Sequence, residues 1–137
     1  MAALDLGTRR IGVAFSDSGR TVASPWGSVV RSGDAARDRA AVLDAVREVG
    51  AGTVVVGLPL SLSGRRGPAA LAALEEVAGL RADLQPLGIT IETADERLTT
   101  VEAQRSLTAA GRKGQAARRV IDSAAAMVLL QAWLDRA

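Results

Sequence analysis

The sequence predicts an α/β fold, strands interspersed with helices, folded as one domain over residues 1–137. Three observations carry the prediction. Two short apolar runs, residues 2–6 and 11–17, flank the compact turn Gly7-Thr8-Arg9-Arg10 and read as an antiparallel hairpin. Residues 53–57, Thr-Val-Val-Val-Gly, form a β-branched run without polar alternation, the pattern of a parallel strand buried on both faces under helices. Between and after these strands, apolar residues recur at helical spacing. A chain of 137 residues, 48% hydrophobic with a mean hydropathy of +0.17, is long enough to build a real core and too apolar to stay disordered. Much of the apolar fraction is alanine, which points to close contacts between helices and a core of Val, Leu and Ile.

After the hairpin, residues 21–30 supply a third strand, with Ser24-Pro25 at a bend or edge position because proline cannot donate to a ladder. Asp34 is the expected N-cap of a helix over 35–49, whose apolar positions are Ala41, Leu43, Val46 and Val49 and whose stop is Gly50 with Gly52. The buried strand at 53–57 follows. Residues 59–68 form a loop with Ser61, Ser63, Gly64, Arg65, Arg66 and Gly67; it has no Walker pattern, so a nucleotide P-loop is unsupported. Pro68 suits the first turn of a second helix running through Leu71, Leu74, Val77 and Leu80. Pro86 and Gly88 close that connection, and residues 89–93 read as the last strand. Thr99 with Glu102 matches a capping box, starting a helix over 99–110 that Gly111 ends. The final helix is expected over about 120–134.

Composition excludes much chemistry. With no His and no Cys there is no Ser-His-Asp triad, no thiolate nucleophile, no disulfide and no His- or Cys-ligated zinc. Carboxylates, carbonyls and hydroxyls remain as metal ligands, a set that suits Mg²⁺ or Mn²⁺. No apolar run reaches the roughly 18–20 residues of a membrane span. No signal-peptide pattern opens the chain, and a cytoplasmic location without membrane partners is expected. The net charge is only +2 although the pI is about 10.3, so the placement of charge matters more than its total. Arg9 and Arg10 sit in the first turn, Arg65 and Arg66 in the glycine-bounded loop, and Arg112, Lys113, Arg118 and Arg119 in a late stretch without acids. Solvated loops account for such groups; a phosphate-backbone partner accounts for them too. The aromatic content of 2% disfavours binding of single strands by base stacking.

Four acids stand out. Asp5 lies within the first strand, where aspartate is disfavoured; either turn amides satisfy it or it serves as a ligand on a rigid strand. Asp95 and Glu96 fall just beyond the last strand, at the sheet edge where ligands of open α/β sheets collect. Asp122 is expected at the start of the last helix, in line with Ala125, Ala126, Leu129, Leu130 and Trp133, as either an N-terminal cap or a ligand facing the sheet. With the first strand central, Asp5, Glu96 and Asp122 converge on one edge, and converging carboxylates call for a cation.

These residues resemble a known family. Asp5-Leu6-Gly7-Thr8-Arg9-Arg10-Ile11-Gly12-Val13-Ala14, Ser24-Pro25, Val56-Gly57-Leu58-Pro59-Leu60, Asp95-Glu96-Arg97-Leu98-Thr99-Thr100 and Ile121-Asp122-Ser123-Ala124-Ala125 are similar, end to end and in order, to the YqgF/RuvX family. That family is a branch of the RuvC-like resolvases in the ribonuclease H-like superfamily. The resemblance implies a ribonuclease H-like fold, a five-stranded mixed sheet with helices on both faces, and a metal-dependent nuclease in which Asp5, Glu96 and Asp122 are both the catalytic acids and the ligands of one or two Mg²⁺ or Mn²⁺ ions, with a pair lying roughly 4 Å apart. RuvC-type resolvases carry a fourth acid one turn after the helix aspartate; here that position is Ala125, leaving Asp95 or a backbone carbonyl to complete a second ion's ligation. Thr8, Arg9, Arg10, Arg65, Arg66, Arg97, Arg112, Lys113, Arg118 and Arg119 are the expected nucleic-acid contacts, with Arg10 and Arg97 also placed to pair with the acids. The expected function is processing of the 5′ end of precursor 16S ribosomal RNA during ribosome biogenesis. The alternatives are a Holliday junction resolvase acting on branched DNA, which would work as a homodimer rather than a monomer, and a non-catalytic RNA-binding assembly factor. An actin-like phosphotransferase shares Asp-Leu-Gly-Thr but needs two such domains, for which this chain is too short.

Overall fold

The computed structural model describes residues 1–58, 67–95 and 115–136, the last segment with its side chains from 122 onward. Five strands are present: β1 (Ala2–Leu6), β2 (Arg10–Ser16), β3 (Ala23–Val30), β4 (Thr53–Leu58) and β5 (Thr90–Asp95). They form one sheet in the order β3-β2-β1-β4-β5, so the first strand is central. β1 pairs antiparallel with β2, and β2 with β3; β4 runs parallel to both β1 and β5. The mixed sheet is the one the family resemblance implies. Three helices are described with it: α1 (Ala35–Glu48), α2 (Pro68–Leu84) and α3 (Gln115–Asp135). None of the described helices is long and apolar enough to cross a membrane. The helix expected over 99–110 and the loop over 59–66 lie outside the described residues.

Strand alternation divides the core into two layers. On one face Ala2, Leu4, Ile11, Val13, Val54, Val56 and Ile91 pack against Val42, Ala45 and Val46 of α1 and Val77, Leu80 and Leu84 of α2. On the other, Ala3, Ala14, Ala23, Val55 and Ala94 meet Ala126, Met127, Leu129 and Leu130 of α3. Five alanines, Ala3, Ala14, Ala23, Ala94 and Ala126, line this helix–sheet contact, where composition alone pointed to contacts between helices. Small side chains on the sheet let the α3 backbone approach closely, which matters for the site below. Asp34 caps α1 as expected, accepting from the amides of Ala36 and Arg37, and Pro68 opens α2. Pro25 is accommodated because β3 is an edge strand and its register with β2 shifts between Val13 and Ala14.

Beyond shifts of a residue, three boundaries differ from the sequence reading, two of them functionally. β3 begins at Ala23 because residues 17–22 make a turn around Asp17. β5 continues to Asp95, since its parallel partner β4 extends to Leu58 and keeps the ladder going. Asp95 is therefore a strand residue, not a residue beyond the strand. α3 starts at Gln115, so Asp122 lies about two turns into it rather than at its start. Neither capping nor the helix dipole, which acts within the first turn, accounts for an aspartate there.

The β2–β3 turn fixes the far end of α3. The Asp17 carboxylate accepts from the amides of Thr21 (2.8 Å) and Val22 (3.0 Å) and from the Thr21 hydroxyl (2.8 Å). The shaped turn then grips Gln131, whose Oε1 accepts from Ala23 N and whose Nε2 donates to Thr21 O, both at 3.0 Å. Hydrogen bonds from Val22 and Thr21 hold the Asp17 carboxyl down at about 2. A depressed carboxyl stabilises the fold above its unfolded value near 3.8 and loses that contribution as pH falls through the folded value. The difference in melting temperature between the wild-type chain and Asp17→Asn should thus be constant above about pH 5 and close between about pH 4 and 2. Thermal unfolding across that range measures it.

Candidate carboxylate site on the α3 face

Asp5 follows Ala3 by two residues on β1 and so shares the sheet face covered by α3. Its antiparallel partner is Gly12 on β2. A Cβ at Gly12 would stand 3.0 Å from the backbone carbonyl oxygen of Asp122, 3.6 Å from Asp5 Cβ and 3.7 Å from Ser123 Cα. Glycine is thus the residue that lets the backbone of α3 descend to the sheet beside Asp5, and the two aspartates flank one point. Ser123, fully buried with a small side chain, completes the close approach. Asp122 is mostly buried, at the margin of the stripe formed by Ser123, Ala126, Met127 and Leu130. Ala125, expected on the core face, is instead exposed because the helix is rotated to bury Ser123.

Arg10, the first residue of β2, reaches across to Asp122: its Nη1 lies 3.0 Å from Oδ1. The Arg10 side chain is 56% exposed, and an ion pair of that kind contributes about 0–1 kcal/mol. It holds the carboxylate against a positive charge without committing much free energy to the contact. The turn that carries Arg10 is itself anchored. Gly7 N donates to Asp5 O (3.0 Å), and a Cβ on Gly7 would fall 2.6 Å from Arg10 O, so only glycine closes this turn. Arg31 secures the turn from β3's end: its amide donates to Arg9 O (3.0 Å) and its Nε to Gly7 O (2.7 Å). The same guanidinium makes a two-bond pair with Glu76 of α2, at 3.0 and 2.9 Å. Thr8, Arg9 and Arg10 are thereby presented, all exposed, beside the carboxylates on an anchored turn.

The sequence-predicted residues separate into three groups. Asp5, Asp122, Thr8, Arg9 and Arg10 are brought together at one end of the sheet. Asp95 stands at the same strand-end edge, but alternation puts it with Ile91 on the face of α1 and α2, opposite that of Asp5. Glu96, Arg65, Arg66, Arg97, Arg112 and Lys113 lie outside the described residues, and Arg118 and Arg119 fall in the part of α3 described by its backbone alone. Among the described residues no three acids stand close enough to hold a metal by themselves. The donor set of Asp5 and Asp122 is nonetheless of the hard-oxygen type, and it already attracts one cation, Arg10. In the sequence Gly12 and Ser123 stand only as parts of the motifs around Asp5 and Asp122; a glycine inside a strand is the available sign of close backbone approach. Arg31 carried no such sign.

Comparison with known proteins agrees with this architecture. Residues 1–136 match a family model described as RuvX, Holliday junction resolvase. The protein named "Putative pre-16S rRNA nuclease" in Mycolicibacterium paratuberculosis is 47% identical over 135 residues, covering 97% of this chain and 78% of the relative. The protein of the same name in Leifsonia xyli is 41% identical over 132 residues, covering 96% and 83%. Among solved structures, Thermus thermophilus RuvC superposes with a TM-score of 0.62 at 14% identity over 99% of this chain and 96% of that one. The T. thermophilus RuvC complex with a Holliday junction substrate gives 0.58 at 14% identity, over 99% and 95%. The structural likeness establishes the ribonuclease H-like fold; the sequence matches, which run through Asp5, Gly12 and Asp122 alike, make this chain a member of the RuvX family.

Proposed function

We propose that this chain is a nuclease that hydrolyses phosphodiester bonds in precursor 16S ribosomal RNA, trimming its 5′ end in the cytoplasm during ribosome biogenesis. One observation supports this reading above the others: Gly12 brings Asp5 and Asp122 to one point on the sheet, beside an anchored turn bearing Thr8, Arg9 and Arg10. Carboxylates next to cationic and hydroxyl side chains suit a polyanionic substrate whose reacting phosphate needs a divalent cation. Asp5 and Asp122, with Glu96, would hold Mg²⁺ or Mn²⁺ there, and the bound ion would supply Lewis acidity toward the phosphodiester oxygens. Asp5 fixes its donor on the central strand, where a ligand's position is best defined. Asp122 adds a second donor from the helix. Thr8, Arg9 and Arg10 meet the backbone phosphates and set the register of the strand, as phosphate contacts do in general. Asp95, on the opposite face, is poorly placed to share the ion, so a backbone carbonyl is the better candidate for further ligation.

A second reading, resolution of DNA junctions, is favoured by the description of the matching family model and by the RuvC fold seen with a junction. Symmetric cutting would require a homodimer. Cleavage assays on a precursor 16S RNA fragment and a synthetic four-way DNA junction, side by side with Mg²⁺, Mn²⁺ or EDTA, separate the readings. The proposal expects metal-dependent cutting of the RNA and none in EDTA. Preferential cutting of the junction selects the resolvase. No cutting of either, with tight metal-independent RNA binding, selects an assembly factor.

A further inference from the structure

We propose that Arg10 is the resident counter-ion of the carboxylate site, and that a divalent cation enters by displacing its guanidinium from Asp122. The inference rests on the metal-binding reading of Asp5 and Asp122 and goes beyond it by assigning a competitor for the same oxygen. Arg10 Nη1 lies 3.0 Å from Asp122 Oδ1, the contact distance of a charge-assisted hydrogen bond. An oxygen so engaged offers a cation less than a free carboxylate does. The pair is also built to exchange. The Arg10 side chain is more than half exposed, so water can solvate the guanidinium once it leaves. Its backbone is held by strand pairing with Val30 and by the Arg31-braced turn, so release moves the side chain alone. The freed guanidinium stays next to Thr8 and Arg9, available to an anionic ligand. Cation entry is thereby coupled to exposure of a phosphate-binding group.

Arg9, the adjacent exposed arginine, provides the comparison, because it makes no ion pair among the described residues. The experiment is calorimetric titration of Mn²⁺ into the full chain as wild type, Arg10→Gln and Arg9→Gln. Displacement predicts that Arg10→Gln binds Mn²⁺ about three- to tenfold more tightly than wild type, whereas Arg9→Gln, which removes the same charge without freeing the oxygen, changes affinity by less than about twofold. In the wild-type chain the Arg10 Nε–H resonance should also shift saturably with added Mg²⁺, following its binding isotherm. Unchanged or weaker binding by Arg10→Gln overturns the proposal, since Arg10 would then orient Asp122 for the ion rather than compete with it. Equal tightening in both variants overturns it as well, leaving only a general charge effect. Absence of Mn²⁺ binding by all three proteins removes the metal reading itself, and the exchange with it.

Discussion

Asp5→Asn should retain the fold and lose cleavage by more than about 100-fold. The estimate follows from the position of the residue: replacing a group that merely supports a metal ligand typically costs about 10–100-fold in affinity or activity, and a ligand should exceed that range. Asparagine keeps the shape of aspartate and an accepting oxygen, so the half-buried position on β1 tolerates it sterically. What it removes is the negative charge on the central strand. The melting temperature should therefore stay near that of wild type while single-turnover cleavage collapses at any Mg²⁺ concentration. An Asp5→Asn chain that cuts within threefold of wild type would show that Asp5 is a strand-end aspartate satisfied by its turn.

Gly12→Val should damage both stability and activity. The added Cβ alone stands 3.0 Å from a carbonyl oxygen in the backbone of α3, which cannot swing aside as a flexible side chain can. Two further methyl groups leave no accommodation short of lifting the helix, whose Leu129 and Leu130 are seated in the core. Overpacking of this kind costs roughly 1–3 kcal/mol, equivalent to a fall of about 3–10 °C in Tm for a chain of this length. Cleavage should fall further than stability does, because the displaced helix carries Asp122 away from Asp5. Gly12→Ala, which asks the helix to give by only a few tenths of an ångström, should lie between Gly12→Val and wild type on both scales. Thermal unfolding and cleavage measured on the same preparations test this ordering.

The difference between what could and could not be read from the chain has a physical basis. Thr53 to Val56 show one signal, uninterrupted β-branching, and it has one structural meaning; the interior, doubly covered position of β4 follows from it. Asp34 and Pro68 act through local backbone chemistry, so their helix starts were legible within a residue. The sequence alone places Asp122 in the proper helix but at its start, because no Ser, Thr, Asp or Asn stands just before Gln115 to mark where the helix begins. That misplacement concealed the strongest argument about Asp122, that no helix-end effect explains it. The sequence alone places Asp95 past its strand, because the length of β5 is set by β4, a partner more than thirty residues away. The contacts of Gly12 with α3, of Arg10 with Asp122 and of Arg31 with Gly7 and Glu76 are all tertiary, and no local pattern announces them.

Asp5 and Asp122 should share one cation. Crystals of the chain soaked in Mn²⁺ and measured at a wavelength giving anomalous signal would locate it. A peak with oxygens of both carboxylates within roughly 2.0–2.3 Å is the predicted result, the distance hard divalent cations keep from oxygen ligands. Peaks found only elsewhere, with Asp5 and Asp122 sharing no ion, would contradict it.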